Sequence, residues 1–239
     1  MQEKFKYLYF LVLIVFFWSC SKPEALESKS VKLEAFDKIA FNNPFDIYLT
    51  EDTCYSLEII ADDDRIKNID YSLVDSVLTL TNRTKFKWLK PTKNKIEIYI
   101  HSKPLKKVWL NETCHLHTLN PITSESFGLI LKSKMNEATL DLDCRGFYYW
   151  NNFPCGGKLT LKGKAHHIKL WNYAILTVDA QELTTQEALV ENNSQGDCTV
   201  NVSEELVYSI TNSGNINLYG NPKRVIKNEI SSSGRLVIK

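Results

Sequence analysis

A short turn signal that returns at a nearly fixed interval limits, more than anything else in the sequence, what this chain can fold into. From Thr211 to Pro222 the residues Thr-Asn-Ser-Gly-Asn-Ile-Asn-Leu-Tyr-Gly-Asn-Pro read as a tight turn, a strand with Ile216 and Leu218 on one face, and a second turn. Degenerate copies of the turn sit at Asn152, Asn172, Asn193, Asn212 and Ser232, at steps of 19 to 21 residues. Such a period argues for stacked coils, because one unit is too small to bury its own apolar face and is stabilised by its neighbours. A coil of about 20 residues at about 3.3 Å per residue has roughly 66 Å of contour, enough for two short strands and two turns. Apolar alternation at Leu140 and Leu142, Leu159 and Leu161, Ile168 and Leu170, Leu176 and Val178, and Val200 and Val202 supplies the inward faces. Each coil then gives one strand to each of two parallel sheets, with Asn, Ser and Gly at the bends because they tolerate left-handed backbone angles. An antiparallel sandwich with turns every half-coil fits the same spacing.

The chain before the repeat divides into three parts. Lys4 and Lys6 precede an apolar run from Tyr7 to Trp18, followed by Ser19 and Cys20. Twelve residues of helix cover about 18 Å, short of the bilayer core of about 30 Å, so the run reads as a signal peptide over residues 1–19. A small residue before a cysteine at the end of such a run resembles the lipobox of bacterial lipoproteins, which implies lipidation of Cys20 and a membrane attachment through that lipid. Residues 20–34 then form a polar tether. Residues 35–110 carry half-buried strands such as Phe45 to Leu49 and Ile96 to Ile100, residues 111–239 the regular coils, and the two make one domain over 35–239. Asp62-Asp63-Asp64 lacks the spaced ligands and glycine of a calcium loop and reads as a solvated turn.

With 29 basic against 28 acidic residues and no basic run, nucleic acid is excluded as a partner. Cys54, Cys114, Cys144, Cys155 and Cys198 remain after Cys20. An odd number in an exported chain leaves at least one thiol unpaired or shared between molecules. Cys144 and Cys155 are near enough in sequence to bridge a loop, and small buried residues are the alternative.

Three groups could carry chemistry. Asp141 and Asp143 share one strand face beside Arg145, the arrangement of a carboxylate pair in a glycan-cleaving enzyme, but their alternation with Leu140 and Leu142 equally describes a solvated strand edge. Cys114, His115 and His117, with His166 and His167, could be drawn as a metal site, yet alternation sends Cys114 to the opposite face from the two histidines. The aromatics are the third group. Trp150 and Trp171 lie 21 residues apart, each directly before a turn asparagine, which stacks them on neighbouring coils at about 4.8 Å. Trp109 stands in a similar setting, and Tyr148, Tyr149 and Tyr173 extend the strip. Facing outward, these rings form a flat surface for sugar rings or a protein partner. Facing inward they are a core ladder, the commoner place for aromatics.

Phe36-Asp37-Lys38-Ile39, Phe45 to Thr50, Pro104 to Val108, Ser213 to Ile216, Tyr219 to Pro222 and Ser233-Gly234 together resemble the head GIN domain family, exported proteins common in Bacteroidetes and described as auto-transporter adhesins. The resemblance runs from about Phe36 to Lys239. It implies a right-handed parallel β-helix with Gly-Ser-Gly turns, and an adhesive role. The chain departs from it at Asn151-Asn152-Phe153, Trp171-Asn172-Tyr173 and Asn193-Ser194-Gln195, where glycine is expected. The expectation is an all-β solenoid of two sheets, lipid-anchored in the cell envelope at the outer membrane. It would bind a glycan or protein ligand through Trp150, Trp171, Tyr149 and Tyr173, without a catalytic residue, metal or cofactor. A glycan-active enzyme using Asp141 and Asp143, and a purely structural periplasmic protein, are the alternatives.

Overall fold

The computed structural model describes residues 26–84, 96–133, 135–151 and 155–239; the segment read as a signal peptide, Cys20 and the turn residue Asn152 lie outside them. In chain order the elements are β1 (Leu26–Lys32), β2 (Lys38–Phe41), β3 (Asp46–Glu51), β4 (Ser56–Asp62), the single helical turn α1 (Asp63–Ile66), β5 (Ile69–Val74), β6 (Val77–Asn82), β7 (Glu97–Ser102) and β8 (Lys107–Leu110). There follow β9 (His115–Thr118), β10 (Ser126–Leu131), β11 (Met135–Asn151), β12 (Gly156–Ser194), β13 (Cys198–Ile210), β14 (Ile216–Tyr219), β15 (Arg224–Ile230) and β16 (Leu236–Ile238). The chain is a β-solenoid of about six turns, 70% strand and 2% helix.

Most pairings are parallel, which removes the antiparallel sandwich. The long spans turn corners, so one span serves both faces of the solenoid. Glu137–Thr139 of β11 pairs with β9 on the first face, whereas Gly146–Asn151 of the same span pairs with β10 on the second. β12 continues both ladders, Glu137 to Asp143 meeting Lys158 to Lys164 and Gly146 to Trp150 meeting His167 to Trp171. β13 then pairs with β14 on the first face and β15 on the second.

Between the faces lies a narrow apolar interior. One inward column runs Val108, Leu129, Tyr149, Leu170 across four coils, every member fully buried. The next runs Leu110, Leu131, Asn151, Asn172 and, one coil on, Asn192. These asparagines are buried and tie the corners: Asn172 Nδ2 donates to Leu176 O at 2.9 Å and to Asn192 Oδ1 at 3.1 Å. The sequence pattern set Asn152, Asn172 and Asn193 in one register; the structure aligns Asn151, Asn172 and Asn192. A slip of one residue moves a side chain to the other face, and here it puts the amides inside. Nor do Asn151, Asn172 and Asn192 adopt left-handed angles. Positive φ falls instead at Asp75, Ser76 and Ala174 and at Gly157, Gly163 and Gly220; the asparagines act through side-chain hydrogen bonds.

Where Gly-Ser-Gly-like turns survive, Gly196, Gly214 and Gly234 stack so closely that a Cβ on Gly214 would lie 2.2 Å from Gly196 O. The N-terminal end departs from simple coiling, and Leu26–Lys32, expected as part of the tether, is instead strand β1, paired along its whole length with β4. β4 pairs antiparallel with β1 and β7, and β5 antiparallel with β6 through a two-residue turn, Asp75-Ser76, both at positive φ, the geometry that matches strand twist. The acidic run is only partly a solvated turn: Asp62 is 2% exposed and accepts a hydrogen bond from Arg65 Nε at 2.8 Å, whereas Asp63 and Asp64 stay open to solvent in the first turn of α1.

Candidate ligand-binding surface

Alternation sends every second residue of the second face outward, and the register decides which of them meet. One outward column carries Ala40, Trp109, Ile130, Trp150 and Trp171; the column beside it carries Lys38, Lys107, Gly128, Tyr148 and Lys169. Trp109, Tyr148, Trp150, Trp171 and Tyr173 are half-buried on the outer side of the sheet. The rings therefore form an outward strip and not the core ladder that aromatics more often make.

Three local devices order the strip. Gly128 lets the Tyr148 ring lie across the strand, since a Cβ there would stand 2.0 Å from Tyr148 Cζ. Lys107 Nζ stands 5.3 Å from the Trp109 ring centroid and 5.4 Å from that of Tyr148, within cation–π range. At the corner the Tyr173 amide donates to Asn151 Oδ1 at 2.7 Å and Tyr173 O accepts from Asn151 Nδ2 at 2.9 Å. An open groove of about 440 Å³ results, lined by Ile130, Tyr148, Trp150, Trp171, Tyr173 and Glu191. Among the described residues the Glu191 carboxylate makes no hydrogen bond or ion pair, and it is the single charged group of the lining. One carboxylate amid aromatic rings can orient a bound group but lacks the second group that acid–base hydrolysis requires.

Tyr149 is a correction to the expected site. It is fully buried in the inward column, where burial raises its phenol well above the usual range, and its hydroxyl has no partner among the described residues. Tyr148, one residue earlier, takes the outward place. Sequence reasoning also missed Gly128, Ile130, Lys107 and Glu191. A glycine inside a strand, about one coil before a tyrosine, was the available signal for the first.

The other candidates do not converge. Asp141 and Asp143 face outward and lie in register with Lys162 and Lys164 of the next coil, while Arg145 Nη1 bonds Glu125 Oε1 at 2.9 Å instead. Cys114 points inward, donating to Asn43 O at 3.4 Å, and burial pushes its thiol up to about 12. His115 lies outward with Nδ1 3.1 Å from Asp46 Oδ1, and the His117 ring lies 5.8 Å from that of Tyr48. His166 and His167 meet edge to face at 6.0 Å. Among the described residues no three His, Cys, Asp or Glu gather as metal ligands. Cys144 and Cys155 are buried free thiols, not a bridge, as are Cys114 and Cys198; Cys54 is free and exposed.

The family model described as "Putative auto-transporter adhesin, head GIN domain" matches residues 35–222. The chain belongs to that family. Among solved structures, a Bacteroides fragilis protein described as a "putative adhesin" is 20% identical with a TM-score of 0.80, over 91% of this chain and 98% of that one. A Parabacteroides merdae protein, also described as a "putative adhesin", is 16% identical with a TM-score of 0.63, over 90% and 96%. A Parabacteroides distasonis protein described as a "putative lipid binding protein" is 16% identical with a TM-score of 0.63, over 90% and 96%. At these identities the likeness shows the fold. A comparison with curated proteins finds no match. Membership of an adhesin family points to the cell envelope or surface. No helix among the described residues is long and apolar enough to cross a membrane.

Proposed function

We propose that this head GIN domain protein is a lipid-anchored envelope protein that binds a ligand without transforming it, with the outer aromatic groove of the second face as its contact surface. The observation that carries the reading is the groove itself, where Trp150, Trp171, Tyr148 and Tyr173 lie half-buried around a carboxylate that has no partner among the described residues. Large rings held open on a rigid sheet offer contact area at little entropic cost, which is the economy of a binding surface. Attachment through Cys20, which precedes β1 (Leu26–Lys32) in sequence, suits a module held at a membrane surface.

Metabolic labelling with an alkyne fatty acid tests the anchor: wild type is labelled and Cys20→Ala is not, and equal labelling of the two contradicts it. Incubation of the protein with a polysaccharide panel tests the non-catalytic part. Retention of a polysaccharide without release of reducing ends agrees with binding; turnover that disappears in Asp141→Asn or Asp143→Asn contradicts it.

A further inference from the structure

The groove's direction, its ends and its one charged group all bear on what it holds. Ile130, Trp150 and Trp171 occupy one register position on successive coils, and Glu191 follows in the same lining. The groove therefore runs across the strands, along the solenoid axis, for three steps of about 4.8 Å, roughly 14 Å in all. At one end Lys107 already covers Trp109 and the near side of Tyr148. At the other, Glu191 is followed in register by Ser209, where the aromatic floor stops.

We propose that the groove binds an oligosaccharide laid along the solenoid axis, about one pyranose ring per coil and about three rings in all, resting on Trp150 and Trp171 with its hydroxyls donating to Glu191. The proposal rests on the reading of this face as the ligand-binding surface and narrows the ligand to one class. Sugar rings fit on three counts. Their C–H-rich faces match the open π faces of the indoles and phenols. Their hydroxyls supply donors to a carboxylate that can only accept. An extended glycan advances by about one strand spacing per ring, so successive rings meet successive coils in equivalent settings. An acyl chain would cover Glu191 without giving it a partner, which is costly. An added peptide strand needs a sheet edge with free backbone groups, whereas these strands are paired on both sides.

The test uses the full chain in detergent on a glycan array of neutral and acidic saccharides, followed by calorimetric titration with a length series of whichever glycan is bound. Affinity is expected to rise from the mono- to the trisaccharide and then level. Trp150→Ala and Trp171→Ala should each weaken binding about tenfold or more. Glu191→Gln, which keeps the shape of the site, should weaken it about tenfold. Unchanged β-sheet circular dichroism and melting separate lost binding from lost folding, and Trp171→Phe should recover part of the affinity. Absence of binding to every glycan, affinity independent of chain length, or binding that survives Trp171→Ala in a folded protein overturns the proposal. A matrix-protein array run beside it distinguishes the two levels. Protein binding lost in the same variants, with no glycan bound, overturns the glycan inference and leaves the binding surface standing; variants without effect on any ligand overturn both.

Discussion

The two outer faces of the solenoid share one core and differ in how their exposed groups are used. On the first face polar and aromatic groups satisfy one another. Tyr48 and Tyr99 stack at 4.6 Å, Tyr99 Oη donates to Glu97 Oε2 at 3.0 Å, and Lys158 pairs with Asp179 at 3.0 Å. On the second face the rings of Trp150, Trp171 and Tyr173 border a groove whose carboxylate is unpartnered among the described residues. Both faces are built by the same alternation, so the difference lies in residue choice at outward positions, where folding exerts little demand. A surface whose groups already pair is complete by itself, while one that leaves rings and a carboxylate open is suited to a partner.

The largest effect should come from what the faces share. Leu161 is fully buried, and Leu161→Ala should cost about 2–5 kcal/mol in denaturant unfolding, well above Trp171→Ala on the open face. A Trp171→Ala cost as large as that would mean the strip belongs to the core and would break the comparison.

A smaller loss is expected at the corner that carries the strip. Asn172→Ala removes the bonds to Leu176 O and Asn192 Oδ1 and should cost about 1–3 kcal/mol, with a matching fall in the denaturation midpoint. Alkaline pH probes the shared interior in another way. Burial pushes the thiols of Cys114 and Cys144 from 9.0 up to about 12. Below pH 9 both states hold these protons. As pH rises from 9 to 12 the unfolded chain ionises and the folded one does not, so stability should fall across that window. Native-state alkylation at pH 8, mapped cysteine by cysteine, should accordingly mark Cys54 well before the four buried thiols.

The smallest effect belongs to the self-satisfied face. Lys158 and Asp179 are substantially exposed, so Lys158→Ala should change stability by about 0–1 kcal/mol and leave ligand retention intact. A large loss in either measurement would show that the first face is more than a solvated surface.

The coil repeat and the pairing of Trp150 with Trp171 were legible because strands repeat at nearly constant length through that stretch. The choice between Tyr148 and Tyr149 was legible too, since alternation that sends Trp150 outward must send Tyr149 inward; treating the aromatics as one group hid it. The asparagine register was harder. One coil takes 21 residues from Asn151 to Asn172 and the next takes 20 to Asn192, and no local signal marks that single-residue change. Glu191 depends on the same register and was hidden with it. The antiparallel N-terminal end was obscured for another reason: its tight turn is made by Asp75-Ser76, without the glycine that usually announces one.

The most direct test of the account sets the faces against each other in one experiment. Immobilised full-length wild type, the Trp150→Ala/Trp171→Ala double variant and a Tyr48→Ala/Tyr99→Ala double variant would be exposed to the same glycan and matrix-protein arrays, each first shown to be folded. Loss of bound ligand in the tryptophan pair alone, with the tyrosine pair retaining it, is the expected result. Undiminished binding by the tryptophan pair, or its loss in the tyrosine pair alone, would contradict the assignment of the binding surface to the second face.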